Sequence, residues 1–400
     1  MNGNEIIIKL DGAATARKYK KNELFQKEKF KEIEHILKVM LKEISGKDFK
    51  PIEECRNHDT IFVDGERGAG KTAFLLNIKD YIFEKDENEN EKISNKLIFF
   101  KPVDPTLLEN TEKFLSIVIA RIVEKINYQI KNKCIKNNYN ENNKKEYFKA
   151  LNKLGSAIGS IKELENDIGL DEIASYASSL KIEEYAHKFF KIVATLLNAE
   201  KLVILIDDVD MAFDKGFEVL EVIRKYLASP YIIPIVAGDY KLYRDIVKNH
   251  FIKQFTYCED KCENNLKEKM EEKINNITEQ YLQKVFPMEF RVELKNIKNI
   301  IENNEILIEL NKKDKLDFNQ VIYFDRNSIN LGINRKSDQF DTIEYNTRKL
   351  TKYLYRKKDF IENFKQLNNK IIILILTNYN FHTKLLLNFI DMLKIKKNNF

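Results

Sequence analysis

The chain has 400 residues, enough for about two or three domains at roughly 150 residues each. Hydrophobic residues at 43% exclude a wholly disordered chain, and only 12 Gly and 6 Pro exclude collagen-like and proline-rich classes. A net charge of +6, from 68 basic and 62 acidic residues, permits nucleic-acid contact without arguing for it, and four scattered Cys point to a reducing compartment. No basic-then-apolar leader follows Met1, and the longest apolar runs, such as 371–376, fall far below the ~20 residues of a membrane span. The expectation is a cytoplasmic protein with no membrane part.

In chain order, residues 17–45 place Leu24, Phe25, Phe30, Ile33, Ile36, Leu37, Met40, Leu41 and Ile44 at helical spacing, and Ser45-Gly46 ends that helix. Residues 60–64 read as a short buried strand, followed by a glycine-rich turn and a helix over 71–83. A polar loop at 86–91 precedes a second strand at 96–100 and a helix from Thr111 to about Asn132. Residues 136–146 are Asn/Lys-rich and low in complexity, and helical pattern resumes to include 182–197. Residues 202–206 form a wholly apolar third strand, as expected where both sheet faces are covered. A helix at 217–227, a strand at 231–237, helices at 240–249 and 267–284, and a strand at 288–294 follow. Residues 296–340 are irregular with strand-like pieces at 306–310 and 321–324, and the remainder reads as mostly helical. The alternation predicts an α/β fold, a doubly wound parallel sheet flanked by helices, without internal repeats.

Gly65-Glu66-Arg67-Gly68-Ala69-Gly70-Lys71-Thr72 matches G-x-x-x-x-G-K-[ST] between a strand and a helix. Glycines there let backbone N–H groups approach phosphate oxygens, and the helix N-terminus adds a positive dipole end. Lys71 would reach the β- and γ-phosphates of ATP, and the Thr72 hydroxyl would hold Mg²⁺. Arg67 can touch phosphate or face solvent. Val203-Ile204-Leu205-Ile206-Asp207-Asp208 is a buried strand ending in two carboxylates, the pattern of a Walker B motif. Asp207 would belong to the Mg²⁺ shell, and Asp208 would polarise the attacking water. Asp210 is either a cap or a further acid of that shell. Lys71 and Asp207 lie so far apart in sequence that 133–190 must include an inserted helical piece.

Asp239 ends the strand at 231–237 and is either a sensor facing the γ-phosphate or the cap of the next helix. Arg224 and Arg244 are either arginine fingers acting on a neighbouring subunit or surface cations. No Arg occurs between His250 and Phe290, where a finger would usually stand. Arg348 opens a helix and is either a lid residue reaching the nucleotide or part of a solvated face. Cys258 and Cys262, near His250, lack a second ligand pair for a metal site. The Lys-rich stretches 17–31 and 349–358, the latter with Tyr353 and Tyr355, can contact nucleic acid but read first as solvated faces. The apolar stretch 385–393 reads as packed in a helical domain or an oligomer interface.

The glycine-rich loop, the VILIDDVD form of Walker B and the FEVLEVIRKYL helix resemble the AAA+/STAND side of P-loop ATPases. PYIIPIVAGDYKLY, EQYLQKVFPMEFRVEL and TRKL look like the sensor strand, the fifth-strand region and the second sensor of KAP-type and RADAR-type antiphage ATPases and of origin-recognition-like ATPases. The resemblance covers roughly 58–295 plus the short lid motif. Met211 stands where KAP-type proteins usually carry Arg, and their membrane insertions are missing. What the resemblance implies is a P-loop NTPase of ASCE/AAA+-like architecture with a helical insertion and a mostly helical C-terminal lid. The matching division is an N-terminal helical segment at 1–58, a core at 59–295 and a lid at 296–400. It also implies an oligomeric Mg²⁺-dependent ATPase of antiviral defence, working with an effector encoded elsewhere. The alternatives are a DNA-associated loader-type ATPase and a nucleotide switch with little hydrolysis. Asp208 in place of the more common Glu keeps the switch in view.

Overall fold

Two uninterrupted apolar runs decide the architecture. Every residue of Lys201–Ile206 and of Ile232–Gly238 is buried, which only a strand covered on both faces achieves. The computed structural model describes residues 6–9, 18–20, 23–42, 50–83, 93–107, 113–132, 141–164, 171–209, 215–255, 264–295, 305–311 and 314–317, with single positions at 300, 350, 354–355, 358 and 361.

From the start of the chain, β1 is Ile6–Lys9, α1 Lys27–Lys42, α2 Ile52–Cys55, β2 Ile61–Asp64 and α3 Lys71–Phe83. Next come β3 (Leu97–Phe99), α4 (Phe114–Lys131), α5 (Glu141–Leu164) and α6 (Asp171–Leu196). They lead to β4 (Lys201–Ile206), α7 (Gly216–Tyr226), β5 (Ile232–Gly238), α8 (Tyr240–Phe255) and α9 (Asn264–Val285). The last elements are β6 (Arg291–Glu293), β7 (Ile306–Asn311) and β8 (Asp314–Asp317).

Five strands form one sheet in the order β3-β4-β5-β2-β6, every neighbouring pair parallel. β5 therefore lies between β2, which leads into the glycine-rich loop, and β4, which ends before Asp207. The registers Asp64↔Gly238, Ile206↔Val236 and Val103↔Ile206 bring the carboxyl ends of the strands to one edge. Phe62, Leu202, Ile204, Ile206, Ile232 and Val236 share one core with Phe114, Val118, Phe189, Phe190, Val219 and Phe286. The intervening residues Ile61, Val63, Val203, Leu205, Ile233 and Ile235 are buried as well, and point to the other face. The helices divide to match. α7 packs with α4, α6, α8 and α9, while α1 packs with α3. Parallel strands need such crossovers, and helices on both faces are the result.

The stretch expected to hold an inserted helical piece contains α5 and the first part of α6, which pack along each other. Tyr147 and Leu154 of α5 are buried, with the Tyr147 ring 6.0 Å from that of Phe189 of α6.

Chain contacts separate two units, one of 26–67 with 71–294, the other of 1–25 with 68–70 and 295–400. The stretch expected as a helical segment at 1–58 is divided between them. α1 belongs to the first unit, where Phe30 stacks with Phe74 and Tyr81 at ring separations of 4.1 and 5.0 Å. Ile6, Ile7 and Ile8 instead form β1, since three β-branched residues favour a strand over a helix turn. In the second unit β1 pairs in parallel with β7, and β7 pairs antiparallel with β8. Lys9 closes an ion pair with Glu23 at 2.6 Å. The expected loop at 86–91, the strand at 321–324 and the apolar stretch 385–393 lie outside the described residues. Among the described residues no helix is long and apolar enough to cross a membrane.

Candidate functional site

β2 delivers the chain to Gly65, whose N–H donates to the Gly238 carbonyl at 3.1 Å and ties the loop to the tip of β5. The loop turns through Gly68 at φ +90° and Gly70 at φ +96°. A Cβ on Gly70 would meet nothing within 4 Å, so the left-handed backbone, not crowding, calls for glycine. The chain re-enters as α3. Lys71, its first residue, is 8% exposed and donates from Nζ to the Gly65 carbonyl at 2.7 Å. The ammonium so closes the loop at the N-terminus of a 13-residue helix, an arrangement suited to anions. Glu66 and Arg67 are exposed, while Gly68, Ala69, Gly70 and Thr72 are half-buried.

The Thr72 hydroxyl donates to the carboxylate of Asp207, just past the end of β4. Asp207 is 5% exposed, and its Oδ1 is buried without a hydrogen-bond partner. Burial pushes the Asp207 carboxyl up to about 6. The charges of Asp208 and Asp104 push the same way, against hydrogen bonds from Thr72 and the Asp208 backbone. A buried carboxylate oxygen without a donor, beside a hydroxyl, suits a cation. Asp208 takes φ +52°, a left-handed backbone that Asp tolerates better than most side chains. Among the described residues no group of three or more His, Cys, Asp or Glu is placed to hold a metal by itself. Mg²⁺ keeps most of its waters and shares phosphate oxygens, so one or two protein ligands suffice for it.

Asp239 caps α8. Its Oδ1 accepts the Lys241 N–H at 3.0 Å and its carbonyl accepts that of Tyr243 at 3.1 Å. It also follows Gly238, so it stands beside the start of the glycine-rich loop. Asp64 accepts the Tyr240 N–H at 3.0 Å, and burial, helped by the charges of Asp239 and Glu293, raises its carboxyl. Carboxylates thus line the whole carboxyl edge of the sheet, with the buried Lys71 ammonium among them.

The arginines fall elsewhere. α7 runs back along the sheet from the carboxyl edge, as a crossover helix must. Arg224, in its last turn, is therefore at the amino edge, away from Gly65–Thr72. It donates to Glu221 at 2.7 and 2.9 Å, and its charge acts on His58 just before β2. Glu221 also takes Lys225 at 2.7 Å and the Tyr281 hydroxyl at 2.9 Å. Arg244 pairs with Glu279 of α9 at 2.9 Å. Arg291, the first residue of β6, lies 4.4 Å over the Tyr240 ring and donates from Nε to the Phe286 carbonyl at 2.9 Å. Arg348, Asp210, Met211, Cys258 and Cys262 lie outside the described residues. His250 stacks on Phe217 at 3.5 Å between ring centroids.

Two groupings escape the linear sequence. Asp104 lies beside Asp207 because the Asp207 N–H donates to the Val103 carbonyl at 2.9 Å. Cys55 Sγ is 3.7 Å from His187 Nε2 across 132 positions of chain, a pairing that no local spacing announces. Compared with protein-family models and with curated proteins, the chain matches none.

Proposed function

We propose that the chain is a Mg²⁺-dependent P-loop ATPase of the ASCE/AAA+-like kind. The observation that carries this reading is the junction of Lys71, Thr72 and Asp207. A buried ammonium closes a glycine-rich loop, and a hydroxyl and an orphaned buried carboxylate oxygen meet beside it. The strand order supports the additional-strand class, because β5 separates the loop strand from the acidic strand. Thr72 and Asp207 would hold the Mg²⁺, which when bound shields the phosphate oxygens and favours attack at phosphorus.

The residues divide the remaining work. The backbone N–H groups of 68–72 cradle phosphate. Lys71 exchanges its bond to the Gly65 carbonyl for the β- and γ-phosphate oxygens. The Asp208 carboxylate accepts a proton from the attacking water, and Asp239 fixes the start of α8 beside the γ-phosphate. In this reading α5 and α6 are the helical insertion and the C-terminal part is the lid that carries Arg348. The resemblance to KAP-type and RADAR-type ATPases further suggests a cytoplasmic homo-oligomer acting in antiviral defence with a separate effector, nucleic acid being an optional contact.

A second reading is a nucleotide switch with little hydrolysis. It is favoured by the engagement of Arg224, Arg244 and Arg291 within their own chain. Mass photometry beside phosphate release, with and without ATP and Mg²⁺, separates the two. ATP-dependent assembly with turnover supports the ATPase, and tight ATP binding without turnover supports the switch. Lys71→Ala that still binds ATP tightly would sink both.

A further inference from the structure

We infer that Asp104 supplies a second carboxylate to the divalent-cation seat beside Asp207. This rests on the reading of the loop as a nucleotide site. After β3 the chain continues along β4, where Val103 donates to the Leu205 carbonyl at 2.8 Å and accepts from the Asp207 N–H at 2.9 Å. The parallel bridge Val103↔Ile206 then places Asp104 level with Asp207 at the same edge. Side chains at equal height on neighbouring parallel strands point the same way, so the two carboxylates are side by side.

Two further observations give the pair a purpose. Asp104 is held by its own turn, with Oδ1 accepting from Thr106 N–H at 2.9 Å and from Thr106 Oγ1 at 2.6 Å. Both donors use the same oxygen, Oδ1. On the other strand, Asp207 Oδ1 is buried and orphaned. Two like-charged groups are held together, one of them with a buried oxygen that lacks a donor, and a small cation would relieve both the repulsion and that deficit. Asp104 is half-exposed. Partly open to solvent, it would reach the ion through one of the ion's own waters.

The test is Mn²⁺ binding in the presence of ADP, read by loss of the free-ion paramagnetic resonance signal, on the full chain. Asp104→Asn keeps an oxygen for Thr106 and removes only the charge. Its Mn²⁺ dissociation constant should rise about 10–100-fold, while ADP binding in EDTA and the melting temperature stay as in the parent. Glu293→Gln, an exposed carboxylate on β6 with no part in the site, controls for general loss of negative charge and should leave Mn²⁺ binding near the parental value. Parental Mn²⁺ affinity in Asp104→Asn, or an equal loss in Glu293→Gln, overturns the assignment while leaving the nucleotide site intact. A parent chain that binds no ADP overturns the nucleotide reading and this inference with it.

Discussion

The two edges of the five-stranded sheet are built from the same residue types and treat them in opposite ways. At the amino edge Lys201, Asp59, His187 and Glu221 each have an internal partner. Lys201 and Asp59, at 0% and 3% side-chain exposure, meet at 2.6 Å. His187 is held by Ser229 at 2.9 Å and by the Lys50 carbonyl at 3.1 Å. Glu221 takes Arg224, Lys225 and Tyr281 together. At the carboxyl edge Asp207 keeps an oxygen without a donor, Asp208 sits in a left-handed backbone, and Lys71 has turned onto its own loop. The groups named at the amino edge are satisfied within the chain. The carboxyl edge leaves a buried carboxylate oxygen without a donor, a deficit that the proposed phosphate-bearing ligand and its cation would meet.

Breaking the amino edge should give the largest effect. Lys201→Met leaves Asp59 buried and unpaired, and should lower unfolding free energy by about 3–5 kcal/mol in chemical denaturation. Pairing it with Asp59→Leu should recover most of that loss, and nucleotide affinity of the folded fraction should not change. Next is Lys71→Ala, which removes a charged donor from the opposite edge. ATP affinity should fall about 100-fold in titration calorimetry, equivalent to about 3 kcal/mol. If Lys201→Met weakened ATP binding as much as Lys71→Ala, the division between the edges would fail.

pH sharpens the contrast because two carboxyls shift in opposite directions. Burial raises Asp207 from 3.8 to about 6. The native state therefore holds this proton more tightly than the unfolded chain does. The resulting stability is present below about pH 4 and is lost as pH rises through 6. In the absence of ligand, Asp207→Asn should be more stable than its parent at pH 7.5 by about 2–3 kcal/mol, at the expense of Mg²⁺ binding. Glu221 runs the other way. Burial pushes it up, but hydrogen bonds from Arg224, Lys225 and Tyr281 outweigh that and hold it at about 2, against 4.5 ordinarily. Its contribution is present above about pH 4.5 and is lost as pH falls through 2. Glu221→Gln should flatten the acid limb of the stability curve by about 1–2 kcal/mol, allowing for solvent screening of a half-buried group. The smallest effect belongs to Arg224→Ala. Near neutral pH it should cost about 1 kcal/mol of stability and leave turnover per subunit unchanged at any protein concentration. A concentration-dependent loss of turnover would place Arg224 in a neighbour's site instead.

Legibility in the sequence followed the range of the interaction. The loop from Gly65 to Thr72 is set by local backbone demands at Gly68 and Gly70 and by a helix start, so a short pattern reveals it. β4 and β5 announce themselves by unbroken apolar runs. Asp104 does not, because its meaning comes from a strand more than a hundred positions later that happens to lie alongside. Arg224 is the complementary case. The sequence offers it as a finger for a neighbouring subunit or as a surface cation, and only the direction of α7 shows that it stands at the amino edge paired with Glu221. β1 is too short to register against the helical pattern that follows, and its partner, β7, is distant in the chain.

That last pairing has a consequence for how the protein is made. At about 5–20 residues per second, the ribosome releases Ile6 roughly a quarter of a minute to a minute before Ile306, its parallel partner. Through that interval Ile6, Ile7 and Ile8, three β-branched residues, lack the strand they pair with in the folded chain, the condition under which such segments seed aggregation. Lys9, directly after the three isoleucines, supplies the charge that discourages such pairing until β7 emerges.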